Sequence, residues 1–387
     1  MPGQNLIQHG NGVIGGLQFF GIVTNLVGGW VGSRLGLTVT LWAGTALQIV
    51  ALLMLVGLDP HWSVALSTAY VMAAQALSGI AKDLTKMSSK SAIKFLVPGD
   101  QQSSLFKWVA LLTGSKNALK GVGFFLGGLL LAVMGFNPSL IAMAIGLGVI
   151  LLGSIVLLPR EIGKAKKKKK KAFAALFAKS RDINVLSAAR FFLFGARDIW
   201  FVVGVPIFLS ASLGWNFTQV GSFLALWIVG YGIVQSVAPA LISRWTAGKA
   251  PTGRAAMVLA FVLAGSMALI PLGLVVGVPA SLTVLIGLGL FGVIFAINSS
   301  VHSYLILAYS HGDEVATNVG FYYMANAGGR LVGTLLSGIV YQLGGLEACL
   351  WISVIFSLVA GAISCGLPRT ETGLQLAGMA ADGGGSD

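Results

Sequence analysis

The chain has 387 residues, 56% of them hydrophobic and only 10% charged, and its mean hydropathy is +0.87. A soluble domain is about a quarter charged, so a water-soluble enzyme is excluded, and repeated apolar runs near twenty residues read as a bundle of membrane-spanning helices. The net charge of +13 falls between the apolar runs, which points to a lipid bilayer as partner and away from nucleic acid.

Residues 1–12 belong to no apolar run. Five spans are expected near 13–31, 37–58, 61–81, 108–134 and 138–158, forming an N-terminal half over 13–158. A basic linker at 159–183 follows, with an unbroken run from Lys166 to Lys171. Six more spans, near 184–210, 217–238, 255–277, 281–306, 315–341 and 345–366, form a C-terminal half over 184–367. The tail, 368–387, ends in DGGGSD and has the composition of a disordered segment. Cys349 and Cys365 lie sixteen residues apart on one expected helix, so they cannot pair and read as small core residues.

Twenty of the 25 lysines and arginines fall on one set of alternate loops or their helix ends, among them Arg34, Lys82, Lys86, Lys90, Lys94, Arg244, Lys249 and Arg369. The positive-inside rule makes that side cytoplasmic, together with the linker and the C-terminus, in a multi-pass protein of the cell membrane. Lysines at 82, 86, 90 and 94 recur every fourth residue. They read first as a solvated stripe that fixes topology, and alternatively, Lys82, Lys86 and Lys90 above all, as a cytoplasmic entry funnel for anions.

An offset of 210 residues superimposes Ser33 and Arg34 on Ser243 and Arg244, Lys120 on Arg330, Gly123 on Gly333, Gly128 on Gly338 and Gly135 on Gly345. Repeated halves within a membrane bundle mark secondary transporters, whose substrate site lies where the halves meet. The span at 184–210 has no image in the first half. One helix of a six-helix half is therefore expected to be missing there, and the first span matches the second of the other half.

The segment GGWVGSRLG at 28–36 resembles the signature loop of the major facilitator superfamily, with Ser33 where an acidic residue is usual. Four longer stretches, QALSGIAKDLTKMSSKSAIK (75–94), LTGSKNALKGVGFFLGG (112–128), LSAARFFLFGARDIWFVV (186–203) and NVGFYYMANAGGRLVGTLLSG (318–338), resemble the organoarsenical efflux permeases of that superfamily, the ArsJ family. The likeness covers nearly all of 19–367. It implies an all-α bundle of two pseudo-repeated halves, with eleven of the usual twelve helices in this chain. It also implies export of 1-arseno-3-phosphoglycerate, the product made when glyceraldehyde-3-phosphate dehydrogenase uses arsenate in place of phosphate, and hence a functional link to that enzyme. The residues themselves indicate only an anion, which leaves a carrier of another organic or phosphorylated anion, or a non-transporting paralogue, as alternatives.

Five cations are expected inside spans: Lys116, Lys120, Arg190, Arg197 and Arg330. Each costs about 2.5–3.5 kcal/mol to place at mid-membrane, and Asp198 is the one acidic residue clearly among them. A multiply charged anion would balance the excess. Lys116 and Lys120, Arg190 and Arg197, and Asn326 and Arg330 each share a helix face by spacing. Arginine suits oxyanions by bidentate geometry, and lysine supplies a movable point charge. Asp198 reads as a counter-ion for Arg197, with proton coupling as the other possibility. Tyr322, Tyr323 and a polar group from Asn298 to Tyr304 could hydrogen-bond a cargo. The four histidines have no metal-ligand spacing and there is no phosphate loop, so neither cofactor, metal nor catalysis is expected.

Overall fold

The computed structural model describes residues 21–59, 61–159, 162, 179–310 and 314–369, and these are all-helical. The N-terminal half comprises α1 (21–35, described from residue 21), α2 (Leu37–Val56), α3 (Val64–Leu96), α4 (Gln102–Met134) and α5 (Phe136–Leu157). The C-terminal half comprises α6 (Arg181–Phe201), α7 (Gly204–Ala211), α8 (Phe217–Trp245), α9 (Gly253–Val275), α10 (Ala280–Ala308) and α11 (Val315–Ser364). Side chains cap several starts. Ser63 accepts from the Leu66 N–H, Ser180 from the Ile183 N–H, and Asn216 forms a capping box with Gln219.

Two expected helices differ from their sequence pattern. The span at 184–210 breaks at Val202–Val203 into α6 and α7, and the Ser337 hydroxyl accepts the freed N–H of Gly204 at 3.3 Å. The spans at 315–341 and 345–366 form one continuous element that reverses at Gly344–Gly345. With α6 and α7 as one crossing and the two limbs of α11 as two, ten of the eleven expected spans are present among the described residues, and the first, near 13–31, lies partly outside them. Gly345 has φ 62°, ψ −159°, and Gly135, its partner in the 210-residue repeat, has φ 78°, ψ −179°. Side chains rarely adopt either conformation, so both halves turn the same corner with the same residue.

The third span is longer than its apolar run. α3 continues to Leu96, so Lys82, Lys86, Lys90 and Lys94 stand on a membrane helix and not in a loop. Polar residues obscured this because Ser88, Lys90 and Ser91 in the run after Gly79 are buried in the protein. Cys349 is buried as expected, whereas Cys365 is exposed at the end of α11, and both are free.

The halves meet at the basic end of the bundle. α1 crosses α11 so closely that a Cβ on Gly29 would stand 2.9 Å from the Ala316 carbonyl and 3.0 Å from Gly320 Cα. α4 packs on α8 through Gly114 and Gly232. At this end Leu37, Met87, Leu105, Phe106 and Val109 from the first half share one core with Ile242, Val301, Tyr304 and Tyr322 from the second. The Tyr304 hydroxyl donates to Gln102 Oε1 at 3.0 Å, and Ser103 donates to the Gly248 carbonyl at 3.1 Å. The second core cluster, around Trp200, Phe291 and Phe295, belongs to the C-terminal half alone. The halves thus share a core at the basic end, and α4 and α8 stay in contact farther along, where a Cβ on Gly121 would stand 3.0 Å from the Ala225 carbonyl.

The glycines expected to form packing surfaces behave differently in the two halves. Gly329 and Gly333 bring α11 against Phe191, Gly195 and Asp198 of α6. Gly123 and Gly127 on α4 have nothing within 4 Å, and Leu119, Phe125 and Leu129 beside them are 56–64% exposed. Among the described residues, α4 has no partner that corresponds to α6.

Candidate functional site

Eight cations line the region between the halves: Lys82, Lys86 and Lys90 from α3, Lys116 and Lys120 from α4, Arg190 and Arg197 from α6, and Arg330 from α11. At 1.5 Å per residue from the basic end of each helix, Lys90 lies about 9 Å deep and Arg190 and Lys86 about 14–15 Å, while Lys82, Lys116, Arg330, Arg197 and Lys120 span about 21–27 Å. The cations therefore form two tiers. The shallow tier is the more enclosed: Lys90 is 1% and Arg190 3% exposed. In the deep tier, Lys120 is exposed and the Arg330 side chain is 40% exposed.

The C-terminal half fixes its arginines. Arg190 Nε donates to Asn326 Oδ1 at 3.0 Å, and its Nη1 donates to Ser299 Oγ at 3.0 Å. Its guanidinium lies 3.8 Å from the Phe194 ring centre and 5.0 Å from that of Tyr322. Asp198 is fully buried and takes both remaining arginines: Arg197 on Oδ1, and Arg330 on Oδ2 through Nε at 2.8 Å. Paired this way, a buried carboxylate holds two guanidiniums in fixed planes with further N–H groups left for an oxyanion.

The N-terminal half holds its lysines loosely. Lys120 Nζ donates to Asn117 Oδ1 at 3.3 Å, and Asn117 donates to Gln235 Oε1 at 2.6 Å. Gln235 Nε2 and the Tyr231 hydroxyl reach Ser299 Oγ at 3.2 and 3.1 Å. A polar chain thus runs from Lys120 through α8 and α10 to Arg190, joining both halves. Lys86 pairs with Asp83 at 3.7 Å and sits 3.8 Å above the Tyr323 ring, and Asp83 also accepts from Thr24 at 2.7 Å. Lys116 stands one turn from Lys120 on the same face of α4.

All the expected residues, Lys116, Lys120, Arg190, Arg197, Asp198, Asn326 and Arg330, line this one region. Asp198 pairs with Arg197 as expected, and with Arg330 as well. Asn326 is bonded to Arg190 and lies behind it. The lysine stripe needs correction: Lys90 is buried against Tyr322 and Tyr323, and only Lys82 of the first three is exposed. Burial of aromatic surface around it, which spacing alone does not reveal, separates Lys90 from a solvated face. The sequence reading also passed over Asp83, Asn117, Tyr231 and Gln235. Asp83 was masked by the lysines around it, and the other three by sitting singly in apolar helices. By formal count, eight basic side chains face two carboxylates, an excess of six within this group.

The Major Facilitator Superfamily profile matches residues 7–305 and, in a second overlapping match, 186–380. The chain belongs to the Major Facilitator Superfamily. Members of the superfamily are transporters, and the helix pairing seen here, with the site between two pseudo-repeated halves, is the arrangement of that fold. The human organic anion transporter MFSD10 (TETRAN) is 15% identical, with 92% of this chain and 84% of that chain covered at a TM-score of 0.70. A bacterial homologue of the iron transporter ferroportin, in an outward-facing state, is 16% identical over 94% and 91% of the two chains at 0.72. The proton:xylose symporter XylE is 13% identical over 95% and 88% at 0.74. At these identities the likeness is one of fold. No curated protein sequence matches the chain significantly.

Proposed function

We propose that this superfamily member is a secondary-active exporter of an organic anion with a charged group at each end, and specifically of 1-arseno-3-phosphoglycerate, conferring arsenate resistance. The observation that carries this reading is the uncompensated cluster of cations, in two tiers, between the two halves. One small inorganic anion would neutralise only one tier. A short carbon chain with an oxyanion at each end spans both. Arsenate and phosphate ester groups together bring about three to four negative charges. The four sequence stretches that resemble the organoarsenical permeases fall on α3, α4, α6 and α11, the helices that supply all eight cations. The similarly folded TETRAN is itself an organic anion transporter.

With the basic end cytoplasmic, the closed end faces the cytoplasm and the cavity opens outward. Exchange between this state and its inverse carries the anion across, as halves rock about the shared site. In the arsenic-sensitive host used for the test, expression of this chain together with the dehydrogenase should raise arsenate resistance at least several-fold over the dehydrogenase alone. Unchanged resistance at verified membrane abundance would reject the arsenical cargo.

A further inference from the structure

On the basic side of Arg190, the closed contact between the halves contains a set of polar groups that packing does not explain. Among the described residues, Lys90 Nζ, on α3, has no hydrogen-bond partner and is 1% exposed. It stands 5.4 Å from the Tyr322 ring centre and 5.1 Å from that of Tyr323. On α10, neither ring nitrogen of His302 and neither amide atom of Asn298 has a partner, at 1% and 0% exposure. These two residues are four apart, on one helix face, and flank Ser299, which is bonded to Arg190. Lys90 and Arg190 share the Tyr322 ring, whose centre lies 5.0 Å from the Arg190 guanidinium. By helix rise, Lys90 and His302 lie about 9 Å from the basic end, shallower than Arg190, and Asn298 lies level with it at about 15 Å.

Buried polar groups are nearly always paired. A lysine, an imidazole and a carboxamide gathered from two halves of the protein, all left unpaired, are costly if their only role is to close this end. Together they hold donors suited to one oxyanion: an ammonium, an imidazole N–H and an amide NH2. Arg190 is placed to share that anion with the deeper tier.

We propose that Lys90, His302 and Asn298 form a second oxyanion station, empty and shut in this state, that receives the leading anionic group of the cargo when the basic end opens. This rests on the anion-carrier reading and adds the order of contact: the basic side meets Lys90 and His302 first, and then hands the group to Arg190. A free phosphate-type anion and the cargo's charged end present the same chemistry, and uptake from arsenate alone, without glyceraldehyde 3-phosphate, separates them.

The test uses membrane vesicles of both orientations, with the ester generated in the medium by the dehydrogenase from glyceraldehyde 3-phosphate, NAD and arsenate, and its concentration assayed directly. In everted vesicles, which present the basic end, Lys90→Met and His302→Leu should each raise half-saturation for arsenic uptake at least tenfold and change the maximal rate less than threefold. In right-side-out vesicles His302→Leu, which leaves every cation of the two tiers in place, should keep wild-type half-saturation. Lys90→Arg, which keeps the charge, should stay within threefold of wild type on both sides. Equal shifts of His302→Leu on both sides, or loss of protein in both variants with wild-type kinetics in the molecules that remain, would overturn the station and make these residues structural. Absence of arsenic uptake by the wild-type chain would sink the anion-carrier reading itself and so is a separate outcome.

Discussion

Asp198→Asn should be the most destabilising conservative change in the site. The substitution keeps size and hydrogen-bonding shape but removes the one negative charge that Arg197 and Arg330 share. Asp198 is fully buried, and breaking a buried ion pair costs about 3–5 kcal/mol because the surviving charges stay desolvated and unpaired. Purified variant should therefore unfold at a clearly lower temperature than wild type. An added dianion should restore part of that loss, and should stabilise the variant more than it stabilises wild type, since two guanidiniums then lack a counter-ion. An unchanged unfolding temperature would show that the carboxylate does not hold the arginines together in the membrane.

Lys120 and Arg330 are equivalent in the repeat but not in their partners, and their glutamine variants should differ accordingly. In the proposed function each supplies a charge-assisted contact to the cargo. Such contacts contribute about 1.5–3 kcal/mol, or about ten- to over a hundredfold in affinity. Lys120→Gln should lose that affinity at unchanged abundance, because its ammonium makes one long bond to Asn117 and faces the cavity. Arg330→Gln should lose affinity and also stability, because it strips Asp198 of one of its two partners. Binding to monodisperse protein distinguishes affinity from abundance. Unchanged anion affinity in both variants would remove the symmetric pair from the site.

The symmetry was legible in the sequence because it is written in residues that cannot be replaced freely. Gly135 and Gly345 must both turn a corner at positive φ, and Lys120 and Arg330 must both carry charge at depth. The break between α6 and α7 was not legible, since Val202 and Val203 are as apolar as their neighbours and the cause is tertiary: Ser337 offers the broken backbone an acceptor. The end of α3 was misplaced for a related reason. Hydropathy does not distinguish a polar stretch in water from one buried in protein, and Lys86 and Lys90 turn to Asp83 and to the rings of Tyr322 and Tyr323. The same inward turn converts Lys90 from a topology marker into a buried group. Depth could be counted from spacing, but partners could not, so Gln235 and Asn117 emerged only when α4 and α8 were seen side by side.

The central claim, that the two tiers of cations carry a two-headed arsenical anion, is tested most directly by arsenic uptake into everted vesicles while the dehydrogenase makes the ester outside. Uptake should require the chain, arsenate and glyceraldehyde 3-phosphate together, and should fall at least tenfold in Lys120→Gln at equal abundance. Uptake that proceeds equally with arsenate alone, or none above chain-free vesicles, would contradict it.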